Sequence, residues 1–181
     1  MQVEHKGTQK INTDRLLLRK FNENDSREIF ENWISDSEVS KYMVWNNQKN
    51  IQETERWLQK VISKYEQLDS YNWGIELKES KKLIGSISAN KTDEIKDCYE
   101  IGYAIGREYW RNGYATESLK AVVEFLIKDV GIRKFLCRYA KENQASGSVI
   151  RKVGFEYKGK GEFTSIDGKR TFESEEYFLE R

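Results

Sequence analysis

Residues 100–119 read EIGYAIGREYWRNGYATESL, and the character of the chain changes twice within that stretch. Glu100 to Ile105 alternates with the period of a strand, placing Glu100, Gly102 and Ala104 on one face and Ile101, Tyr103 and Ile105 on the other. Arg107 to Gly113 is polar and aromatic and closes on glycine, as a loop does. After it the period becomes helical, with Ala115, Leu119, Val122, Val123 and Leu126 on one face and Gly131 as a C-terminal stop. A strand that runs through a loop into the amino end of a helix aims unpartnered N–H groups, and the positive end of the helix dipole, at one point. Gly113 and Ala115 keep that approach clear, Thr116 offers a hydroxyl and Arg111 offers charge. The stretch matches neither G-x-G-x-x-G nor G-x-x-x-x-G-K-[ST], so neither a dinucleotide fold nor a P-loop is supported. Ordinary helix capping also accounts for a small residue and a threonine at this place.

Working outward, Lys134 to Ala140 reads as a strand and completes a β-loop-α-β unit whose two strands are parallel. Asn143 caps a short helix to about Val153, Gly154 ends it, an aromatic strand starts at Phe155, and Asp167-Gly168 turns it into a last strand over Glu176 to Leu179. Upstream, Tyr71 to Leu77, Leu83 to Ala89 and Cys98 to Ile105 form an antiparallel meander with short polar turns. Thr13 to Phe21 is a first strand. Asn24-Asp25 then caps a helix with Ile29, Phe30, Trp33 and Ile34 as its stripe, and a longer helix from about Ile51 to Leu68 buries Leu58, Val61, Ile62, Tyr65 and Leu68. The expected fold class is α/β in the α+β sense: a mixed, mostly antiparallel sheet of about seven strands with helices on both faces. Residues 1–12 are expected as an N-terminal tail and 13–181 as a single domain, since no Pro/Gly/Ser-rich linker divides the chain.

Composition narrows the chemistry. Lys and Arg number 31 against 30 Asp and Glu, a net charge of +1, so no global field draws the protein to nucleic acid or anionic lipid. Met1 to Lys10 is polar, and no run approaches the roughly 18 to 20 apolar residues of a membrane span, so a cytoplasmic protein without membrane contact is expected. Cys98 and Cys137 lie in separate apolar segments without metal or redox spacing and read as buried free thiols. His5 is the single histidine. His-based triads, HExxH sites and other metal chemistry therefore have no support in the chain.

The 100–119 stretch resembles the acyl-CoA-binding motif of the GNAT acetyltransferases, in particular the branch of the ribosomal-protein N-terminal (RimJ/RimL-type) enzymes. NQASGSVIRKVGF, residues 143–155, is similar to that branch's N-x-x-S…GF segment. The TDRLLLR opening and the WGIEL and KKLIGSISA strands follow in the family's order, so the resemblance runs from about residue 13 to the end. Two departures stand out. Trp110 occupies the Gln/Arg position of the general Q/R-x-x-G-x-G/A motif, and Arg111-Asn112 stand where the branch often has Gly-Lys.

The resemblance implies a GNAT-like fold and an N-acetyltransferase that moves an acetyl group from acetyl-CoA, its co-substrate, to a primary amine. It implies that Tyr103, Ala104 and Ile105 pair with the pantetheine arm and that Arg111, Asn112, Gly113, Tyr114, Ala115 and Thr116 hold the diphosphate. Apolar alternation also reads Tyr103 and Ile105 as core, and side chains can pack while their backbones bind. Glu100, beside the open face of Gly102, is the candidate general base. Asn143 and Ser146 resemble the family's residues near the cofactor sulfur, with Asn143 as a hydrogen-bonding group and Ser146 as proton donor to the departing thiolate. Capping explains the same pair. No cysteine has an activating neighbour in sequence, so direct attack in a ternary complex is expected. The acceptor is a protein N-terminus or a small-molecule amine, near an aromatic group of Trp33, Tyr42, Met43 and Trp45, where the family has its acceptor wall. A non-catalytic acyl-CoA sensor would keep the loop and lack the base; nucleic-acid binding would need a basic helix that is absent. Family habit alone points to a homodimer.

Overall fold

The protein is described over residues 3–181 by a computed structural model. Its sheet has eight strands: β1 (Ile11–Asn12), β2 (Leu16–Arg19), β3 (Tyr71–Leu77), β4 (Leu83–Thr92), β5 (Cys98–Ile105), β6 (Lys134–Ala140), β7 (Glu156–Thr164) and β8 (Thr171–Glu180). They lie in the order β1-β2-β3-β4-β5-β6-β8-β7. Every neighbouring pair is antiparallel except β5 and β6. The expected mixed sheet is present with one strand more than the count of about seven. The predicted Thr13–Phe21 strand is shortened to Leu16–Arg19, because Thr13 accepts Leu16 N–H on its hydroxyl and turns the chain there, and the additional β1 comes from Ile11–Asn12, inside the segment expected as a tail.

Helices cover both faces. The short α1 (Ser26–Ile29) runs on through a π-turn over Phe30–Ile34, followed by α2 (Ser37–Ser40) and α3 (Ile51–Ser63). These pack Ile29, Trp33, Ile34, Leu58 and Val61 on the sheet face that carries Leu83 and Ala104. The opposite face carries Ile101 and Ile105 and is covered by α4 (Tyr114–Phe125) and α5 (Gln144–Val153), through Leu119, Val122, Val123 and Ile150. Strand alternation thus divides β5 between two cores. No helix among the described residues is long and apolar enough to cross a membrane.

Three expectations need correction. The first helical turn is capped by Asn22, with Asp25 closing a capping box, where Asn24-Asp25 was expected to start the helix. Asp25 has a second task that no local pattern reveals: it and Glu76 hold the guanidinium of Arg19 at 2.8 and 2.6 Å. The long helix ends at Ser63 and gives way to a 3-10 turn, so Leu68 stands exposed. Residues 5–9 of the segment expected as a tail are packed against the domain. His5 Nδ1 lies 2.8 Å from the Tyr71 hydroxyl, Gly7 N–H donates to Leu68 O, and Trp73 Nε1 donates to Gln9 O.

Gly85 faces Ile105 across the β4–β5 ladder, where a β-carbon would lie 2.2 Å from Ala104 O. Main chain cannot yield there as a flexible side chain would. Gly85→Ala should lower unfolding free energy by about 1–3 kcal/mol, read as a fall in the urea midpoint at unchanged slope.

Candidate functional site

The site begins where two strands part. β5 and β6 pair in parallel only from Cys98 with Lys134 to Glu100 with Leu136, after which both continue unpaired with each other to Ile105 and Ala140. Gly106 N–H donates to Ile84 O on the β4 side. By alternation the backbone groups of Ile101, Tyr103 and Ile105 therefore face the opening toward β6. An exposed strand edge of this kind is a template for an extended, amide-bearing ligand. Ile105 O is already taken by Trp110 Nε1 at 2.7 Å, which leaves the Tyr103 backbone as the central free position of the three.

At the far end of β5 the loop folds into a cradle of backbone N–H groups at the start of α4. Arg111 and Gly113 both have left-handed backbones, with φ of +64° and +80°. That conformation suits glycine and is unusual for arginine. α4 has no side-chain cap, and none of the backbone N–H groups from residue 111 to residue 116 has a partner among the described residues. The Arg111 side chain is exposed and Thr116 is half-buried. Asn112 is different: its side-chain amide donates to Tyr109 O and Trp110 O, so it shapes the loop from within.

The cradle has an anchor that local sequence could not reveal. Arg15 donates to Asn112 O at 2.9 Å, lies over the Tyr114 ring at 4.6 Å and pairs with Glu117 at 2.7 Å. Glu117 also accepts from the Thr13 hydroxyl and the Arg15 N–H. Burial pushes the Glu117 carboxyl up, but these hydrogen bonds outweigh it and hold its pKa below the ordinary value. Thr13 and Arg15 belong to the TDRLLLR opening, whose first task is thus to fasten the loop.

Glu100 stands at the fork. No atom lies within 4 Å of a β-carbon built on neighbouring Gly102, so the carboxylate borders open space. Arg138 Nε on β6 lies 2.9 Å from Glu100, and the same guanidinium meets Glu94 at 2.8 Å and Glu176 at 3.6 Å. Burial is the largest influence and raises the Glu100 pKa; Arg138 pulls it back and Glu94 pushes it up, with a net rise. A raised carboxylate is a better proton acceptor when ionised. Sequence reasoning missed Arg138, because its partners lie on β5, on β8 and in the β4–β5 turn.

Across the opening, Asn143 accepts from Ser146 N–H and so caps α5, while Ser146 Oγ lies 2.9 Å from the Tyr103 hydroxyl. Tyr103 also donates to Ser146 O at 3.2 Å, and burial raises its phenol pKa. Its backbone faces the opening while its side chain spans to α5. Glu100, Tyr103, Ala104, Asn143 and Ser146 border one cleft of about 740 Å³. Ile105 and residues 111–116 lie beyond it, along the strand and at the cradle. Tyr42, Met43 and Trp45 line the cleft's opposite side with Trp57 and Phe163. Trp33, expected with that group, is fully buried in the core.

The acetyltransferase (GNAT) domain family matches residues 15–156. An uncharacterized N-acetyltransferase of Bacillus subtilis, YoaA, is 32% identical over 149 residues, covering 82% of this chain and 84% of its own. The [ribosomal protein uS5]-alanine N-acetyltransferase of Escherichia coli is 23% identical over 168 residues, covering 88% and 85%. Among solved structures, the microcin C7 self-immunity acetyltransferase MccE, in complex with acetyl-CoA and AMP, superposes with a TM-score of 0.81 at 18% identity over 93% of this chain and 94% of that one.

The fork's electrostatics can be read directly. Replacing Arg138 by Met removes the cation that favours ionised Glu100 and leaves Glu94 without its arginine partner and Glu176 with Lys158 alone. Both changes act in one direction, so the Glu100 carboxyl should titrate at higher pH in the variant than in the wild type, followed by carbon-13 NMR of the side-chain carboxyl.

Proposed function

The chain belongs to the GNAT acetyltransferase family and is an acetyl-CoA-dependent N-acetyltransferase, and from that premise we propose that it acetylates a primary amine by direct attack in a ternary complex. The observation that carries this reading is the alignment of three features along one strand. They are unpartnered N–H groups at the α4 end, a free backbone edge at Tyr103, and a carboxylate at the fork.

Acetyl-CoA supplies an acetyl group activated as a thioester, with an anionic diphosphate and an arm of amides suited to such a track. On this reading the N–H groups of Arg111 to Thr116 bind the diphosphate, and the Tyr103 backbone pairs with the arm in the manner of an added strand. A backbone N–H of the parted β5 polarises the acetyl carbonyl as negative charge develops on its oxygen. Glu100, directly or through water, takes the proton from the amine nitrogen whose lone pair forms the new C–N bond. As the C–S bond breaks, the Ser146 hydroxyl, backed by Tyr103, gives a proton to the thiolate. Asn143 fixes the turn that presents Ser146. The acceptor is a protein N-terminus or a small amine; the name of the Escherichia coli relative gives an alanine of ribosomal protein uS5 as the acceptor of that protein. An α-amine, with reference pKa about 7.7–8.0, yields its proton more readily than a lysine near about 10.4.

Two measurements test the reading. Calorimetry should find saturable one-to-one acetyl-CoA binding by the wild type and none by folded Gly113→Glu, whose carboxylate and β-carbon enter the cradle at φ +80°; equal affinity for the variant would refute the cradle. Glu100→Gln should leave acetyl-CoA affinity unchanged and lower kcat for amine-dependent CoA release roughly 10²- to 10⁴-fold, the usual worth of a general base. An unchanged kcat would remove Glu100 from the chemistry.

A further inference from the structure

The tip of the β7–β8 hairpin, residues 165–170, reaches over to the chain between α2 and α3, and the chemistry proposed above makes no use of that contact. The guanidinium of Arg170 donates to four main-chain carbonyls, that of Ser40 at the end of α2 and three of that segment. Nη1 reaches Ser40 O at 3.1 Å and Lys41 O at 3.2 Å, and Nη2 reaches Met43 O at 3.1 Å and Trp45 O at 2.9 Å. Ile166 N–H takes the carbonyl of Val44 at 2.7 Å, and Asn46 Nδ2 donates to Asp167 at 2.7 Å. The carbonyls of Ser40, Lys41, Met43, Val44 and Trp45 are thus all held by the hairpin. Arg170 also lies 5.5 Å from the Phe172 ring centroid, and Phe172 meets Tyr42 and Phe163.

The segment held in this way carries Tyr42, Met43 and Trp45, one side of the cleft that ends at Glu100. It has no regular secondary structure of its own between Ser40 and Ile51, so its shape depends on contacts supplied from elsewhere. A lysine could not replace this arginine, since only a planar fork of donors reaches carbonyls on two sides at once. The wall is aromatic, with Trp57 and Phe163 beside it, while the floor is small and polar at Ser86, Ser88 and Gly102. Arg138, the cation at the fork, is committed to Glu94, Glu100 and Glu176. Such a cleft suits an ammonium group directed at Glu100 and attached to a body that can lie against aromatic rings.

We infer that Arg170 is a positioning residue for the acceptor, holding Tyr42 to Trp45 as a preformed wall that selects a primary amine on an apolar or aromatic body. This rests on the acetyl-transfer reading and refines its acceptor half. A wall already in place spares the acceptor the cost of ordering it, so the benefit falls on acceptor affinity and leaves the cofactor cradle untouched.

The test uses the full chain, acetyl-CoA and 2-phenylethylamine as the acceptor probe. With Arg170→Ala, KM for the probe should rise about 10-fold while kcat stays within about threefold, the signature of lost acceptor binding without lost chemistry. Acetyl-CoA affinity should be unchanged, and backbone amides of residues 41–47 should exchange hydrogen faster. Arg170→Lys should behave like the alanine variant. Asn46→Ala, which removes one exposed link, should shift KM in the same direction by less and serves if Arg170→Ala does not fold. Wild-type exchange rates over 41–47 in Arg170→Ala, rescue by lysine, or a fall in kcat at constant KM would overturn the positioning role. A wild type that binds acetyl-CoA but does not acetylate 2-phenylethylamine would overturn the acceptor class. Absence of acetyl-CoA binding by the wild type would instead defeat the underlying reading.

Discussion

Where β5 and β6 stop sharing hydrogen bonds decides what the rest of the molecule can do. Three paired positions join them, from Cys98–Lys134 to Glu100–Leu136. Each strand is then held by its other neighbour: β5 pairs with β4 along its whole length from Cys98 to Ile105, and β6 pairs with β8 from Lys134 to Ala140. Two rigid ladders that diverge cannot close on each other, so the gap between them is maintained by antiparallel pairing outside it. Backbone groups facing such a gap would ordinarily be costly, because buried N–H and C=O groups need partners. Here they lie open, and a ligand that brings its own amides can complete the ladder.

The charge of the site follows the same geometry. The cradle presents backbone dipoles and the exposed Arg111 at the start of α4, and it is fastened by the Arg15–Glu117 pair on the outside. The fork, at the other end of β5, gathers Glu94, Glu100 and Glu176 around one guanidinium, and Lys158 pairs with Glu176 at 3.0 Å. One strand therefore runs from a place that favours anions to a place where three carboxylates gather around one guanidinium. Burial raises the Glu100 pKa and Arg138 pulls it back, with a net rise above its ordinary value. For the general-base role proposed for Glu100 the two influences are complementary: burial strengthens the carboxylate as a proton acceptor, and the cation favours its ionised form.

Much of this was legible in the sequence, for reasons that particular residues make clear. The alternation of Glu100 to Ile105 and the helical period from Ala115 are short-range signals, and the structure has those elements where the periods change. Gly154 and Asp167-Gly168 likewise mark a helix end and a hairpin, with left-handed glycines at both. Failures came where a residue's partner lies far along the chain. Asp25 acts in a cap and on Arg19 at once; Leu68 keeps a helical spacing past the point where the helix has ended; Trp33 looks like any aromatic of its region until the core is built around it. Arg15, Arg138 and Arg170 show the limit most plainly. Each organises a part of the site, and no spacing rule links any of them to its carboxylates or carbonyls.

The cysteines bear on how the acetyl group would travel. A covalent relay needs a thiolate, and Cys137 sits on β6 just past the last residue paired with β5, near enough to the opening to be considered. It is almost wholly buried, and burial, with the Glu100 charge adding to it, pushes its thiol well above the ordinary range. Cys98, also buried, is pushed up to about 11, again by burial before any charge. No histidine stands beside either, since His5 is hydrogen-bonded to Tyr71. A thiol in such surroundings remains protonated at neutral pH and is a poor nucleophile. The proposed roles of Glu100 and Ser146 would give the acetyl carbon a base-assisted amine on one side and a proton donor for the leaving sulfur on the other. The protein's own thiols stay out of reach of ionisation, which favours transfer in one step from cofactor to amine over an acyl-enzyme route.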